Sequence, residues 1–280
     1  MPTFDTPGPI DVNLSLLVGH VRITASDRDT TEVEVRAGSS SASSAKMVEE
    51  TQVDYADGQL RVRTPKTITR LLGGKSARIE VEIAVPAGSR LDGDNGAGDL
   101  HAQGALGDTR YKTGFGAIRL GQTGRARLNT GAGDISVDRV AGDAEITTGT
   151  GRLHIGAVEG TATVKNSSGE TWIGEAGGAL RANSANGDIA VDQARGGAAL
   201  KTANGSLRVL AAVRGQVSLE TAAGSLEVGI PAGTVAWLDL DVKNGNVRNT
   251  LDGSSGPDAG DEKVEVRART YFGDIVIHRA

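Results

Sequence analysis

The chain has 280 residues, of which 40 are glycine and seven proline, with no cysteine and only two Trp, three Tyr and three Phe. Glycine at twice the usual ~7%, without a third-position period or abundant proline, excludes collagen, and 38% hydrophobic residues in ordered alternation exclude a disordered chain. Thirty basic against 35 acidic residues give a net charge of −5, which speaks against general nucleic-acid affinity, and the lack of cysteine rules out disulfide frameworks and thiolate metal sites.

Met1–Pro9 carries neither a basic nor an apolar signal-like stretch, and clusters such as Leu16-Leu17-Val18 are far shorter than a bilayer span. The expectation is a cytoplasmic protein without membrane insertion. Residues 1–14 are expected to cap a first coil. Gly19 is followed by Val21 and Ile23, and Gly58 by Leu60 and Val62, which reads as two strand starts. Thr31–Arg36 and Ala77–Val85 read as their return strands. Gly38–Lys46 (GSSSASSAK) and Pro65–Lys75 read as loops. Residues 1–94 are thus expected to form irregular capping coils with insertions.

From residue 95 the chain becomes periodic. Glycine stands at every ninth position from 133 to 205. One anchor series, Gly98, Gly116, Gly133, Gly151, Gly169, Gly187, Gly205 and Gly224, is spaced by 17 to 19 residues and continues less evenly to Gly245 and Gly273. The second and fourth residues after these ten glycines are apolar in 18 of 20 cases, from Leu100 and Ala102 to Ile275 and Ile277; Thr171 and Asn249 are the exceptions. Alternation with a period of two marks strands with one buried face. The other glycine series is followed in the same way, as by Ala144 and Ile146. Each unit of about 18 residues therefore holds two short strands, and stacked units bury a continuous core that no single unit can bury. A hexapeptide left-handed helix would place aliphatics every six residues; the run 135, 137, 144, 146, 153, 155 steps by two and then seven.

The predicted fold is an all-β parallel β-solenoid, β-helix-like, with two strands per coil and irregular capping coils at both ends. Right-handedness is expected from parallel crossovers. Regular repeats are expected over 95–250, and a loop with a closing coil over 251–280, in which Asp252–Asp261 is the loop and Lys263–Thr270 the closing strand. All three regions read as one continuous domain. The anchor glycines are predicted to hold positive φ at the corners. Three residues before them stand Asn95, Thr113, Thr130, Thr148, Asn166, Ser184, Thr202, Thr221, Val242 and Thr270, all but Val242 able to hydrogen-bond through the side chain. Stacked one per coil, they form a polar ladder that closes turns.

The pattern Thr-x-x-Gly-(Asp/Ser)-(Ile/Leu)-x-Val, seen as TGAGDISV at 130–137, TANGSLRV at 202–209 and TAAGSLEV at 221–228, resembles a bacterial β-strand-repeat family. This is the domain of unknown function 4097, also called putative adhesin or toastrack-like. IDVNLSLLVGHVRIT and IEVEIAVPAGSRLDGDNGAGDL near the N-terminus are similar to it too. The resemblance covers nearly the whole chain and implies the repeat fold. It says almost nothing of activity, and implies a link to cell-envelope stress systems; the adhesin label implies export.

Three side-chain groupings offer chemistry. Asp99, Asp134, Asp188 and Asp274 follow anchor glycines; turn capping explains them better than calcium, which needs several oxygens per ion. On the outer face of the first sheet, Trp172 beside His154 could form a ligand platform, glycan included; a zinc site is not expected because the outward His residues are not adjacent. On the second sheet, Arg110, Lys112, Arg125 and Arg127 could hold an anion, although a solvated charged face that blocks sheet aggregation explains them better. Asp134 with Asp138, and Asp188 with Asp192, repeat one spacing, which fits surface decoration better than a glycosidase pair. No catalytic residue, cofactor or metal is expected. The leading reading is a non-catalytic binding or scaffold module whose partner is another protein. The alternatives are a carbohydrate-active β-helix protein and a self-assembling, bactofilin-like filament.

Overall fold

The computed structural model describes residues 2–65, 77–251 and 262–280. The chain forms two compact units, residues 1–137 and 138–280. In both, a strand of about six residues ends at a glycine corner, and the next strand leaves on the opposite side of an aliphatic core. From Arg90 onward successive strands therefore alternate between two sheets, and each pairs in parallel with the strand one coil away.

The first unit runs β1 (Thr3–Asp5), β2 (Asp11–Ser26), β3 (Thr30–Ala37), α1 (Ala42–Glu50), β4 (Gln52–Ala56), β5 (Gln59–Arg63), β6 (Ile79–Pro86), β7 (Arg90–Ala97), β8 (Leu100–Ala105), β9 (Thr109–Phe115), β10 (Ile118–Thr123) and β11 (Ala126–Ala132), and the boundary falls within β12 (Ile135–Val140). Its first sheet contains β1, β3, β6, β2, β8 and β10 in that order, and its second contains β4, β5, β2, β7, β9 and β11. The 16-residue β2 belongs to both. Its start pairs with β5 and β7, and its end, from Gly19 on, pairs with β6 and β8. Gly19 thus lies inside a continuous strand rather than at a strand start, and residues 11–14 belong to that strand rather than to a cap.

Two further expectations change in this unit. The return strand expected at Thr31–Arg36 is present as β3, but it runs antiparallel to β6. The stretch Gly38–Lys46 is a loop only as far as Ser41. Ser41 caps α1 by accepting the Ser44 N–H at 3.1 Å, and Met47 is fully buried under the helix. The serines that make the segment look like a linker are the cap, and Ala, Lys, Met and Glu behind them are good helix formers. The loops expected at 65–75 and 252–261 lie outside the described residues, apart from Pro65.

The second unit runs β13 (Ala144–Thr150), β14 (Leu153–Val158), β15 (Ala162–Ser168), β16 (Thr171–Ala176), β17 (Leu180–Asn186), β18 (Ile189–Ala194), β19 (Ala198–Asn204), β20 (Leu207–Ala212), β21 (Gly215–Ala223), β22 (Leu226–Ile230), β23 (Thr234–Asn244), β24 (Val247–Asn249), β25 (Glu262–Phe272) and β26 (Ile275–Arg279). Its even-numbered strands form the first sheet and its odd-numbered strands the second. Spatial order follows chain order as far as β22. After that, β25 lies between β21 and β23, and β26 lies between β22 and β24. β25 and β26 are therefore wedged inside, and among the described residues the outermost coil is Thr234–Asn249.

The core is a file of Ile, Leu, Val and Ala, with Ile135, Ile146, Ile155, Ile173, Val191 and Leu207 fully buried. Each such side chain contributes roughly 1.5–3 kcal/mol of transfer free energy. Gly187 shows why the corners are glycine. Its φ is +139°, and a Cβ there would meet the Gly169 carbonyl oxygen of the preceding coil well under 3.0 Å away. Gly98, Gly116, Gly133, Gly151, Gly169, Gly205 and Gly224 also have φ between +133° and +153°.

Candidate functional site

The polar column runs along the corner of the core. Thr130 donates to the Gly116 carbonyl at 3.0 Å, Thr202 to Gly187 at 3.3 Å, Thr221 to Gly205 at 3.0 Å and Thr270 to Gly224 at 3.1 Å. Thr113 reaches the Phe115 carbonyl at 3.2 Å and Gly98 at 3.5 Å, while Thr148 is buried in the same column. Each hydroxyl takes up a carbonyl that the glycine corner turns inward, which otherwise costs the desolvation of an unpaired acceptor. Asn166 reaches two such carbonyls, Gly151 and Gly169, both at 3.0 Å. Ser184, on the next coil, is left with a buried hydroxyl that has no partner. Asn95 donates to Gly19 at 2.7 Å and to the Tyr111 hydroxyl at 3.1 Å.

Tyr111 is a functional-looking group that sequence reasoning missed. It is the largest fully buried side chain, and its ring occupies the space a Cβ on its register partner Gly93 would fill. Burial pushes its hydroxyl up to about 12; the Asn95 hydrogen bond pulls the other way. Glycine at an inward strand position, one coil from a tyrosine at the same register, is the signal that could have found it. The pair is a packing solution, the ring filling the space beside Gly93.

The aspartates after the anchor glycines staple coils together. Asp99 accepts the Ala117 N–H at 2.8 Å, Asp188 the Ser206 N–H at 2.7 Å and Asp274 the Asn246 N–H at 2.9 Å. Asp108 and Asp143 do the same for Arg125 and Thr161 at 2.9 Å each. These carboxylates are committed to the next coil's turn.

On the outer face of the first sheet, His154 and Trp172 are register partners, and their rings stack with centroids 4.2 Å apart and an interplanar angle of 22°. The indole N–H donates to Asp192 at 3.1 Å. Trp172 is half-buried and held on both counts. On the second sheet, Arg110 and Arg127 face each other in register, as do Lys112 and Asn129. Arg110 is also opposite Asp92 and 3.3 Å from its carboxylate, and Lys112 is opposite Asp94. All four basic side chains are exposed. With acids one strand away, the cluster forms part of a cross-strand charge pattern rather than a bare cationic patch. Similar pairs recur in the second unit, as in Lys201–Glu220 and Arg208–Glu227.

The outermost coil of the second unit is less covered than the coil inside it. Ala236, Leu238, Leu240 and Val242 point inward yet stay half-buried, whereas Val264, Val266 and Ala268 on the adjoining β25 are at most 2% exposed. Trp237 is 75% exposed and Val247 49%. A cleft of about 400 Å³ lies beside Trp237, lined also by Gly215, Leu238, Asp239, Lys263, Val264 and Glu265. Among the described residues, no His, Cys, Asp or Glu cluster is suited to a metal ion, and no helix is long and apolar enough to cross a membrane.

Short parallel strands in two sheets, turned at positive-φ glycines about every 18 residues, define a parallel β-solenoid. The chain belongs to the Toastrack DUF4097 family, whose model matches residues 10–278. Among solved structures it is similar to a putative adhesin from Bacteroides fragilis, at 13% identity over 99% of this chain and 95% of the other, with a TM-score of 0.40. It is also similar to a putative cell adhesion protein from Clostridium sporogenes, at 12% identity over 100% and 98%, with a TM-score of 0.22. A putative lipid binding protein from Parabacteroides distasonis matches at 8% identity over 99% and 95%, with a TM-score of 0.37. No curated protein matches the chain.

Proposed function

We propose that the chain is a non-catalytic binding module whose partner is a protein, and that it meets that partner through its last coils. One observation carries this reading. Of the six large hydrophobic side chains that stand out into solvent among the described residues, four, Trp237, Val247, Tyr271 and Phe272, belong to the two outermost coils of the second unit. Exposed apolar groups gathered on the end coils rather than scattered singly along the chain favour an interaction surface there. A placement in an envelope-stress or regulatory pathway, in the cytoplasm, is part of the same proposal.

The glycan reading depends on Trp172. One face of that indole is covered by His154 and its only donor is engaged by Asp192, so it lacks the free face and free N–H that sugar stacking uses. The test is quantitative capture of protein from a cell lysate by the immobilised chain, with and without Trp237→Ser and Phe272→Ser. Specific bands should be held by the native chain and lost from the double variant. Equal capture by both, or turnover of a polysaccharide by the native chain, would overturn the reading.

A further inference from the structure

We infer that the free edge of β23 is a strand-docking site, and that its occupant is an extended segment of a partner protein in which aliphatic and basic side chains alternate. This deepens the reading above and rests on it in taking the partner to be a protein.

Among the described residues, β23 is hydrogen-bonded along one edge only, to β25. About every other residue of this 11-residue strand therefore offers N–H and C=O groups on the other edge, where a further strand can add by the same kind of ladder. The inward face is unfinished in the way one more strand would complete. Leu238, Leu240 and Val242 hold core positions in register with Val266, Ala268 and Thr270, yet they remain half-buried.

The outward face states the chemistry of the occupant. On the paired edge, β25 sets Arg267 opposite Asp239 and Arg269 opposite Asp241, and the Arg269 guanidinium lies 3.5 Å from the Asp239 carboxylate. Between these arginines and their neighbours, β25 turns Val264, Val266 and Ala268 into the core. β25 is thus a worked example of a strand that β23 accepts. Asp241 has no ion-pair partner among the described residues and is open to a cation arriving from the free side.

A second copy of the chain fits this edge poorly. Antiparallel pairing of two β23 strands about Asp239, Leu240 or Asp241 sets Asp239 against itself, Asp239 against Asp241, or Asp241 against itself. Like charges directly opposite one another are destabilising.

The test uses the full chain and two fluorescently labelled peptides read by polarisation. One has the β25 sequence, Glu262–Phe272, and the other carries Arg267→Glu and Arg269→Glu. The native chain should bind the first saturably and the second at least tenfold more weakly. In the Asp241→Arg chain, a change at an exposed position, the preference should reverse. Equal affinity for both peptides, binding of neither, or no reversal in Asp241→Arg would overturn the proposal. So would sedimentation showing that the chain self-associates and that Asp241→Arg strengthens this, because the occupant would then be a second copy. If the peptides fail but Trp237→Ser with Phe272→Ser still abolishes lysate capture, protein binding stands and strand addition falls.

Discussion

At the N-terminal end of the first unit, the outermost strands β1 and β4 run antiparallel to their neighbours, and α1 carries the chain from β3 in one sheet to β4 in the other. Met47 is buried beneath that helix, and Phe4 and Tyr55 meet with ring centroids 5.0 Å apart. At the C-terminal end of the second unit, the outermost strands β23 and β24 run parallel to β25 and β26 and keep the ordinary coil geometry. Their inward leucines are only half covered. In the second unit β25 and β26 lie inside β23 and β24, whereas in the first unit β1 and β4 are themselves outermost. One end breaks the repeat to stop it, while the other stops in mid-pattern with its last edge and face still usable. Sheet edges are ordinarily blunted in soluble proteins, and an unblunted one invites a partner strand.

The largest effects separate an interior corner from the open one. Gly187→Ala forces a Cβ against the Gly169 carbonyl at a φ of +139°, with coils packed on both sides. The expected loss is about 4 kcal/mol, from backbone strain and overpacking together. Gly245→Ala makes the same clash with the Gly273 carbonyl at φ +155°, but among the described residues its coil has a neighbour on one side only and can shift outward. Its cost should be less than half as great. Urea unfolding of both variants decides the matter, and equal losses would mean that the end coil is as firmly held as the interior.

Truncating the cap should cost more than truncating the open end. Met47→Ala removes a side chain with no exposure and should lose about 3 kcal/mol. Leu240→Ala removes a half-exposed one and should lose about 1 kcal/mol. If Leu240→Ala proves as costly as Met47→Ala in the same denaturation assay, the C-terminal coil is not open in solution.

The interior of the first unit also carries a pH signature. Burial holds the Tyr111 hydroxyl up at about 12 in the folded chain, above its ordinary value near 10. Below pH ~10 both folded and unfolded chains keep the proton, and this contribution to stability is fully present. Between about 10 and 12 the unfolded chain ionises first, so stability falls as pH rises, by about 2–3 kcal/mol in all. With Tyr55→Phe and Tyr271→Phe in place, absorbance of phenolate reads Tyr111 alone. Ionisation well below pH 11 without loss of structure would show that the first unit is less tightly closed around Tyr111 than the fold implies.

Much of this was legible in the residues. The anchor glycines and the alternation behind them define the coils, the inward faces and the polar column before any coordinates. Coil order was harder, because β23 and β25 show the same alternation and pairing partners leave no trace in a period of two. A signal did exist. Val242 breaks the hydrogen-bonding column and Asn249 breaks the apolar one, and both lie in the coil that proves outermost, where neither column needs a member. The helix was hidden because serine serves loops and helix caps alike. The Tyr111–Gly93 pair was hidden because size complementarity between coils shows only once register is known. For the candidate site, the exposure of Trp237 depends on β23 being last, which no local pattern encodes.

Val242 provides the finest test of the contrast between the ends. In the interior, a threonine at this column position donates to the preceding glycine carbonyl, as Thr270 does to Gly224 at 3.1 Å. Val242 is in register with Thr270 but has no donor, so the column stops one coil short of the edge. Val242→Thr keeps the shape and supplies the hydroxyl. A hydrogen bond of this kind contributes about 1 kcal/mol net, and the exchanged methyl costs little at a half-exposed position. The expected result is a gain of about 0.5 kcal/mol, read as slower hydrogen exchange confined to β23 and β24. Such a gain would mean that the outermost coil is less firmly held than the interior for want of a single bond. A loss instead would mean that Val242 already has apolar cover in the native chain, and the account of an unfinished end would have to give way to one in which something occupies it.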